Sequence, residues 1–347
     1  MTLRPLGKTG IRVPPITFGT SALGNLYIEL DPNIKFRIVE ESLIHSQPIT
    51  VFDSAGKYGA GLALEALGTA LNQLNSSSDQ VIISNKLAWV RAPLLGEEPL
   101  FEPGVWKGLK YDAVQQISYE GIIRCFEEGN ELLGGRVPQL VSVHDPDEYL
   151  AQAKSPEQRD QKFKDILDAY RALAELKRQG RVMGIGVGAK NWKVIPQIHQ
   201  EVKLDWVMFA NSATLISHPQ DLLNFMKQLS AEGVGIFNSA VFQSGFLVGG
   251  NYYDYRYIQP DNRINKQRFE WRESFFALCR DWEVAPAHAC VQFALHLPGV
   301  SSVALSTTDP VKVKRNVELT QTLLPPAFWD ELKNRKLIQE YSPTPSY

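Results

Sequence analysis

Short, nearly uniformly apolar runs alternate with amphipathic stretches of helical period along the whole chain. The strand-like runs are Ile16–Ser21, Thr50–Ser54, Val81–Lys86, Leu140–His144, Val182–Val187, Trp206–Asn211, Gly235–Ala240 and Ser302–Ser306. Apolar runs of this length fit parallel strands covered on both faces. Between them, Phe163–Arg178 repeats Phe163, Ile166, Leu167, Tyr170, Leu173 and Ala174 at spacings of three and four, with Lys164, Asp165, Asp168, Arg171 and Glu175 on the other face. Phe36–His45, Leu62–Leu74, Tyr119–Leu133, Leu222–Ala231, Phe269–Asp281 and Pro310–Gln321 read the same way, and Asp309 is placed to cap the last. Eight alternations without a break in composition predict a single α/β domain over residues 1–347, a closed (β/α)8 TIM barrel rather than an open doubly wound sheet. Leu3–Val13, with Gly7-Lys8-Thr9-Gly10 at its turn, predicts a β-hairpin capping one end of that barrel.

Two connections exceed the usual length of about two to six residues. One runs from Trp89 to about Asp112 and the other from Phe246 to about Asn265. Both leave the C-terminal ends of strands, where barrel enzymes carry their sites. Trp89, Trp106, Tyr252 and Tyr253 are therefore candidate walls for a substrate. Gly184-Ile185-Gly186-Val187-Gly188-Ala189 satisfies the G-x-G-x-x-A dinucleotide pattern. It lacks a full strand before the glycines and a helix opening on them, so it reads as part of the fifth strand, its small residues making room for something bulky.

Charge and composition narrow the field. With 36 basic against 38 acidic side chains, the net charge of −2 offers no broad attraction for nucleic acid or anionic lipid. An apolar content of 44% excludes disorder as the dominant state. No run approaches the roughly 20 apolar residues of a membrane span, and the opening residues lack the design of a secretory signal. The expectation is a soluble cytoplasmic protein whose partner is a small molecule, with monomer and homo-oligomer equally open. Cys125, Cys279 and Cys290 are widely spaced and read as reduced packing residues.

Four residues stand at or just beyond the ends of consecutive strands: Asp53 in F-D-S-A, Tyr58 in K-Y-G, Lys86 in S-N-K and His144 in V-H-D-P-D. In a barrel these positions converge on one mouth. They suit proton transfer coupled to hydride transfer. A tyrosine titrates near ~10, and a buried ammonium beside it favours the phenolate. That ammonium needs a carboxylate to stay charged. Lys86 and Asp53 fit these two parts around Tyr58, and a neutral His144 would orient the substrate oxygen. No metal is called for; His144, Asp145, Asp147 and Glu148 read as a polar strand-end loop.

The set F-D-S-A-x-x-Y-G, S-N-K and V-H-D-P-D resembles the aldo-keto reductase superfamily, whose Asp, Tyr, Lys and His tetrad matches Asp53, Tyr58, Lys86 and His144. The resemblance runs from the N-terminal hairpin to the helix near Asn316 and implies a (β/α)8 barrel binding NAD or NADP without a Rossmann fold. V-H-D-P-D together with N-S-A-V-F-Q-S-G is similar to the sugar 1-dehydrogenases acting on L-fucose, D-arabinose or L-galactose, with pyridoxal 4-dehydrogenase nearby. That implies oxidation of an aldose at C1 to the lactone. NADPH-dependent aldehyde or ketone reduction, or pyridoxal 4-dehydrogenation, is the alternative, and a non-catalytic nucleotide-binding partner subunit is the alternative of another class. The resemblance also implies cofactor positions: Gly19 and Thr20 beside the nicotinamide ribose, and Ser239, Phe242, Ser244 and Gly245 at the pyrophosphate. Ser306, Thr307, Thr308, Lys312, Arg315 and Asn316 fall at the adenosine. The NADP-preferring members' lysine and arginine are Ser306 and Lys312 here, which favours NAD, with NADP tolerated. Gly188-Ala189 replaces the family's Ser-Asn pair, leaving Asn191 as the substitute amide partner. Met208 and Ser239 replace a glutamine and the aromatic that stacks on nicotinamide.

Overall fold

The computed structural model describes residues 1–345; Ser346 and Tyr347, the last two residues of the expected 1–347 domain, lie outside the described residues. Strands β1 (Arg4–Pro5) and β2 (Arg12–Val13) form the N-terminal hairpin. There follow β3 (Ile16–Gly19), β4 (Thr50–Ala55), β5 (Val81–Leu87), β6 (Trp89–Pro93), β7 (Tyr111–Gln115), β8 (Leu140–His144), β9 (Gly184–Ala189) and β10 (Trp206–Ala210). The last are β11 (Gly235–Ser239), β12 (Tyr252–Tyr253), β13 (Arg256–Tyr257) and β14 (Val300–Leu305). Eight of them close a parallel barrel in the order β3-β4-β5-β8-β9-β10-β11-β14, with β14 returning to β3. The helices are α1 (Pro32–His45), α2 (Leu62–Gln73), α3 (Tyr119–Leu132), α4 (Pro146–Ala151), α5 (Pro156–Arg178), α6 (Val194–Glu201), α7 (Gln220–Glu232), α8 (Arg263–Asp281), α9 (Pro286–Leu295), α10 (Val311–Glu318) and α11 (Pro326–Asn334). Among the described residues none is long and apolar enough to cross a membrane.

The period of two along each strand sorts the side chains. Phe52, Val141, Val143, Val207 and Phe209 pack outward under the helices. Val51, Leu140, Trp206, Met208, Phe237 and Ala304 fill the interior, where Leu6, Ile11 and Val13 of the hairpin region plug the N-terminal end. The glycines of β9 serve this interior. A Cβ on Gly186 would stand 2.4 Å from the Trp206 ring, and one on Gly188 would stand 3.1 Å from the Lys86 stem. The apparent dinucleotide pattern is thus a packing device for an indole and a lysine.

Some boundaries differ from the sequence reading. The fifth barrel strand starts at Gly184 rather than Val182, and α5 starts at Pro156, capped by Ser155, rather than at Phe163. The first two turns of α5 are polar all round and carry no stripe to detect. The reverse holds for α9, whose residues Ala289–Leu295 are all buried, so no polar face marks it. Proline interrupts the pattern of α6. The acidic segment after His144 is the short helix α4 rather than a loop, with Pro146 at its first position. Both long connections contain antiparallel hairpins, β6–β7 and β12–β13. Cys125, Cys279 and Cys290 are buried and unpaired, on α3, α8 and α9.

Candidate active site

The inward positions of β4, β5 and β8 change from apolar at the base to polar at the C-terminal end, and they bring Asp53, Lys86 and His144 to one mouth. Asp53 and Lys86 form a short ion pair, each about 3% exposed, and Ser84 donates its hydroxyl to Asp53 Oδ1 at 3.0 Å. Tyr58 lies on the turn after β4. Gly59, at φ 62°, allows that turn to press on the segment Ser21–Gly24, where any Cβ would stand 2.3 Å from the Gly24 carbonyl. The Lys86 ammonium sits 4.8 Å from the centre of the Tyr58 ring, and the His144 ring meets it edge-on at 5.6 Å between centroids.

The electrostatics correct one expectation. Burial, then the charges of Asp53 and Asp145, hold the Tyr58 hydroxyl well above the ordinary phenol range, so Lys86 does not by itself make it acidic. That keeps Tyr58 in its protonated, phenol form. Burial, reinforced by Lys86, Lys57 and Lys190, keeps His144 far below the usual imidazole range and therefore neutral. Its Nδ1 is buried without a partner.

Beside the tetrad lies an ionic group that the sequence reading did not assign. Lys57 is 4% exposed and reaches Glu102 at 2.8 Å, Glu148 at 3.1 Å and Asp145 at 3.9 Å. Burial opposes its charge, but Asp145, Glu102 and Glu148 more than offset that and hold the ammonium above its ordinary range. Lys190 pairs with Glu148 and, at 3.4 Å, with Asp145. Glu102 also accepts the Trp106 indole N–H at 2.7 Å, which fixes that ring 5.9 Å from Tyr58. Asp147 accepts the Asn191 amide at 2.8 Å through Oδ2, while its Oδ1 is buried and unpartnered. Burial and the neighbouring Asp145 push its carboxyl up to about 6. Lys57 immediately precedes Tyr58, and Glu102 precedes Trp106 by four residues. Those adjacencies were the available signals, but charged side chains in loops ordinarily face water.

All these groups line one cleft of about 1000 Å³. Of the aromatic candidates, Trp106 lines it and three do not. Trp89 stands behind the wall, against Phe101 and under Lys57. Tyr252 stacks on Tyr27 at 5.8 Å, and Tyr253 packs on Phe246 and Arg268. The reason is the two-residue turn of the hairpin: Asp254 and Tyr255 take φ of 50° and 60°, and that turn places Tyr255 in the wall instead. Tyr27 and Arg256 line the cleft as well.

Of the candidate cofactor positions, Gly19, Asn191, Ser239, Phe242, Ser244, Gly245 and Ser306 line the same cleft. Thr20 lies beneath it, its hydroxyl donating to the Asp53 carbonyl at 3.1 Å and hydrogen-bonded to the Ser54 hydroxyl at 2.8 Å. Thr307, Thr308, Lys312, Arg315 and Asn316 lie outside the cleft wall, on or before α10, with Lys312 and Arg315 exposed. The turn after β11 fits an anionic phosphate bridge: Gln243, Ser244 and Gly245 are in the left-handed region, and space for a further atom remains open beside Gly245. In the wall near Gly188, Ala189 and Met208, Asn191 supplies an exposed amide, whose Oδ1 accepts the Lys193 N–H at 3.2 Å.

The sequence profile of the Aldo/keto reductase family matches residues 15–335. Pyridoxal 4-dehydrogenase of Microbacterium luteolum is 26% identical, over 96% of this chain and 97% of that protein. D-threo-aldose 1-dehydrogenase of a Pseudomonas species is 25% identical, over 97% of each. Among solved structures, the holo form of aldo-keto reductase AKR11C1 from Bacillus halodurans shares the fold with a TM-score of 0.71 at 18% identity, over 98% of this chain and 97% of that one.

Proposed function

The chain belongs to the aldo/keto reductase family, and on that premise we propose that it is a cytoplasmic dehydrogenase that oxidises C1 of an aldose of the L-fucose, D-arabinose or L-galactose type to the lactone. The observation that carries this reading is the convergence of Asp53, Tyr58, Lys86 and His144 on the mouth of one cleft whose far wall holds the Ser239–Gly245 turn. A nicotinamide dinucleotide, when bound, supplies the hydride acceptor. Ser239, Phe242, Ser244 and Gly245 would hold its phosphates, Gly19 and Thr20 would stand beside the ribose, and Ser306, Thr307, Thr308, Lys312, Arg315 and Asn316 would meet the adenosine. Asn191 would serve the carboxamide. NAD is preferred, because Ser306 leaves the 2′-phosphate position one cation short.

In the forward direction hydride leaves C1, and the proton of the C1 hydroxyl passes to the Tyr58 oxygen. Asp53 keeps Lys86 charged, Lys86 stabilises the phenolate that must form, and neutral His144 orients the reacting oxygen by a hydrogen bond. Trp106 and Tyr255 offer ring faces to the sugar. The protonated state of Tyr58 favours a second reading, reduction of a carbonyl with Tyr58 as the acid, because burial keeps the phenol in the proton-bearing form that only the reductive direction consumes.

A panel of aldoses, simple aldehydes and pyridoxal, assayed with NAD and NADP in both directions, tests the proposal. The expected result is aldose oxidation with NAD at a rate that climbs with pH as phenolate becomes available. Reduction that outpaces oxidation at every pH would transfer the assignment to the second reading. Dinucleotide binding without turnover of any compound would favour a non-catalytic nucleotide-binding subunit.

A further inference from the structure

We propose that the substrate end of the cleft selects uncharged, hydroxyl-bearing molecules and rejects phosphorylated or carboxylated ones, an inference that rests on the oxidoreductase reading above and narrows its substrate class. Lysines in a sugar site ordinarily offer a grip for a phosphate or carboxylate. Here each interior lysine is already committed. Lys86 is paired with Asp53, Lys57 with three carboxylates, and Lys190 with Glu148 and Asp145. Around Trp106 and His144, the four carboxylates of Glu102, Asp145, Asp147 and Glu148 face only two ammonium groups, those of Lys57 and Lys190. His144 adds no positive charge because it is neutral.

An anionic substrate would have to enter this excess of negative charge in a partly dehydrated cleft and compete with carboxylates for the lysines. Like-charge contact of that kind discriminates strongly against such a substrate. A hydroxyl meets the opposite situation. It donates to a carboxylate without bringing charge, and Glu102, Asp145 and Glu148 line the cleft as acceptors. Arg256 is, among the described residues of the wall, a cation without a carboxylate partner. It is exposed to solvent on β13, whose hairpin is tied to the Ser239–Gly245 turn through the Tyr255 amide and Ser244 Oγ at 2.9 Å.

The test uses the full chain and matched pairs: D-arabinose against D-arabinose 5-phosphate, and pyridoxal against pyridoxal 5′-phosphate, each with saturating NAD. The phosphate-bearing member of each pair is expected to have a kcat/KM at least about a hundredfold lower. Glu148→Gln removes one charge facing both Lys57 and Lys190 without changing side-chain size, and is expected to narrow each gap about tenfold; Asp147→Asn narrows it less. Equal kcat/KM within a pair overturns the inference. So does a gap that neither variant alters, because shape rather than charge would then set it. Calorimetric binding of the same four compounds to the NAD-loaded protein separates this inference from the reading beneath it. If nothing is turned over but the uncharged members bind and the phosphates do not, the dehydrogenase reading falls and charge selection stands. If the phosphates bind as well as their uncharged partners, or if none of the four binds, charge selection falls whatever the turnover.

Discussion

Asp53, Lys86 and His144 project from strands locked into the barrel ladder, whereas the wall facing them hangs from turns and a two-stranded hairpin. On the first side the backbone is fixed by paired neighbours over whole strands: Thr50–Ala55 against Val81–Lys86, and Ser84–Leu87 against Leu140–Val143. Its buried charges are paired with one another. On the second side, position depends on local turn bonds, such as Gln243 N–H to the Ala240 carbonyl at 2.9 Å, on the buried anchors Val241, Phe246 and Leu247, and, for the hairpin, on side-chain bonds such as Asn211 Nδ2 to Ser244 Oγ at 3.4 Å and to Asp254 at 3.3 Å and on the Tyr27–Tyr252 stack. A cooperative ladder sets the reacting groups to within the tolerance that proton transfer needs, while a wall of local turns and a two-stranded hairpin has fewer long-range ties to break when it meets a large cofactor.

The sharpest break in this comparison is Tyr58→Phe, which removes one oxygen from the ordered side. Turnover is expected to fall by about a thousandfold or more, while dinucleotide affinity, set by the opposite wall, changes by less than about threefold. Steady-state kinetics and a fluorescence titration of the cofactor measure the two. Retained turnover would remove Tyr58 from the chemistry.

Lys86→Met comes next and probes stability. It leaves Asp53 buried without its cation, for which the expected cost is about 3–5 kcal/mol. Ser244→Ala, on the loosely tied wall, is expected to cost under about 1 kcal/mol. Denaturant melts of both variants compare the two sides directly. Equal losses would mean that the walls are equally rigid and the contrast is false.

The same contrast explains what could be read in advance. Short, nearly uniformly apolar runs and helical stripes betrayed the barrel, and positions at or just beyond strand ends betrayed Asp53, Tyr58, Lys86 and His144, because a regular ladder converts residue number into direction. The aromatic wall was legible only as a region. Whether Tyr253 or Tyr255 faces the cleft turns on left-handed φ at Asp254 and Tyr255, which no hydrophobic period encodes. Lys57 and Glu102 were missed because buried ion pairs between distant loops leave no local pattern. The Tyr58 acidity was misjudged because it is a sum over the surroundings: Lys86 is in place over the ring, but burial, with Asp53, Asp145 and Glu102, holds the hydroxyl well above its ordinary range.

Asp147 joins the two sides, standing on α4 beside His144 and holding the Asn191 amide of the loop after β9. Burial and the charge of Asp145 push its carboxyl up to about 6, from an ordinary 3.8. Between those values the folded protein keeps a proton that the unfolded chain has released, so stability declines as pH rises through this window and carries the full penalty above it. Asn at this position retains an acceptor for Asn191 and carries no charge. Asp147→Asn is therefore expected to be more stable than the parent by about 1–3 kcal/mol at pH 8, with the difference shrinking to near zero at pH 4. Thermal melts of both proteins at the two pH values decide it. A variant less stable at pH 8 would mean that the ionised carboxylate anchors the Asn191 loop strongly enough to outweigh its burial, making this part of the wall as firmly fixed as the strands.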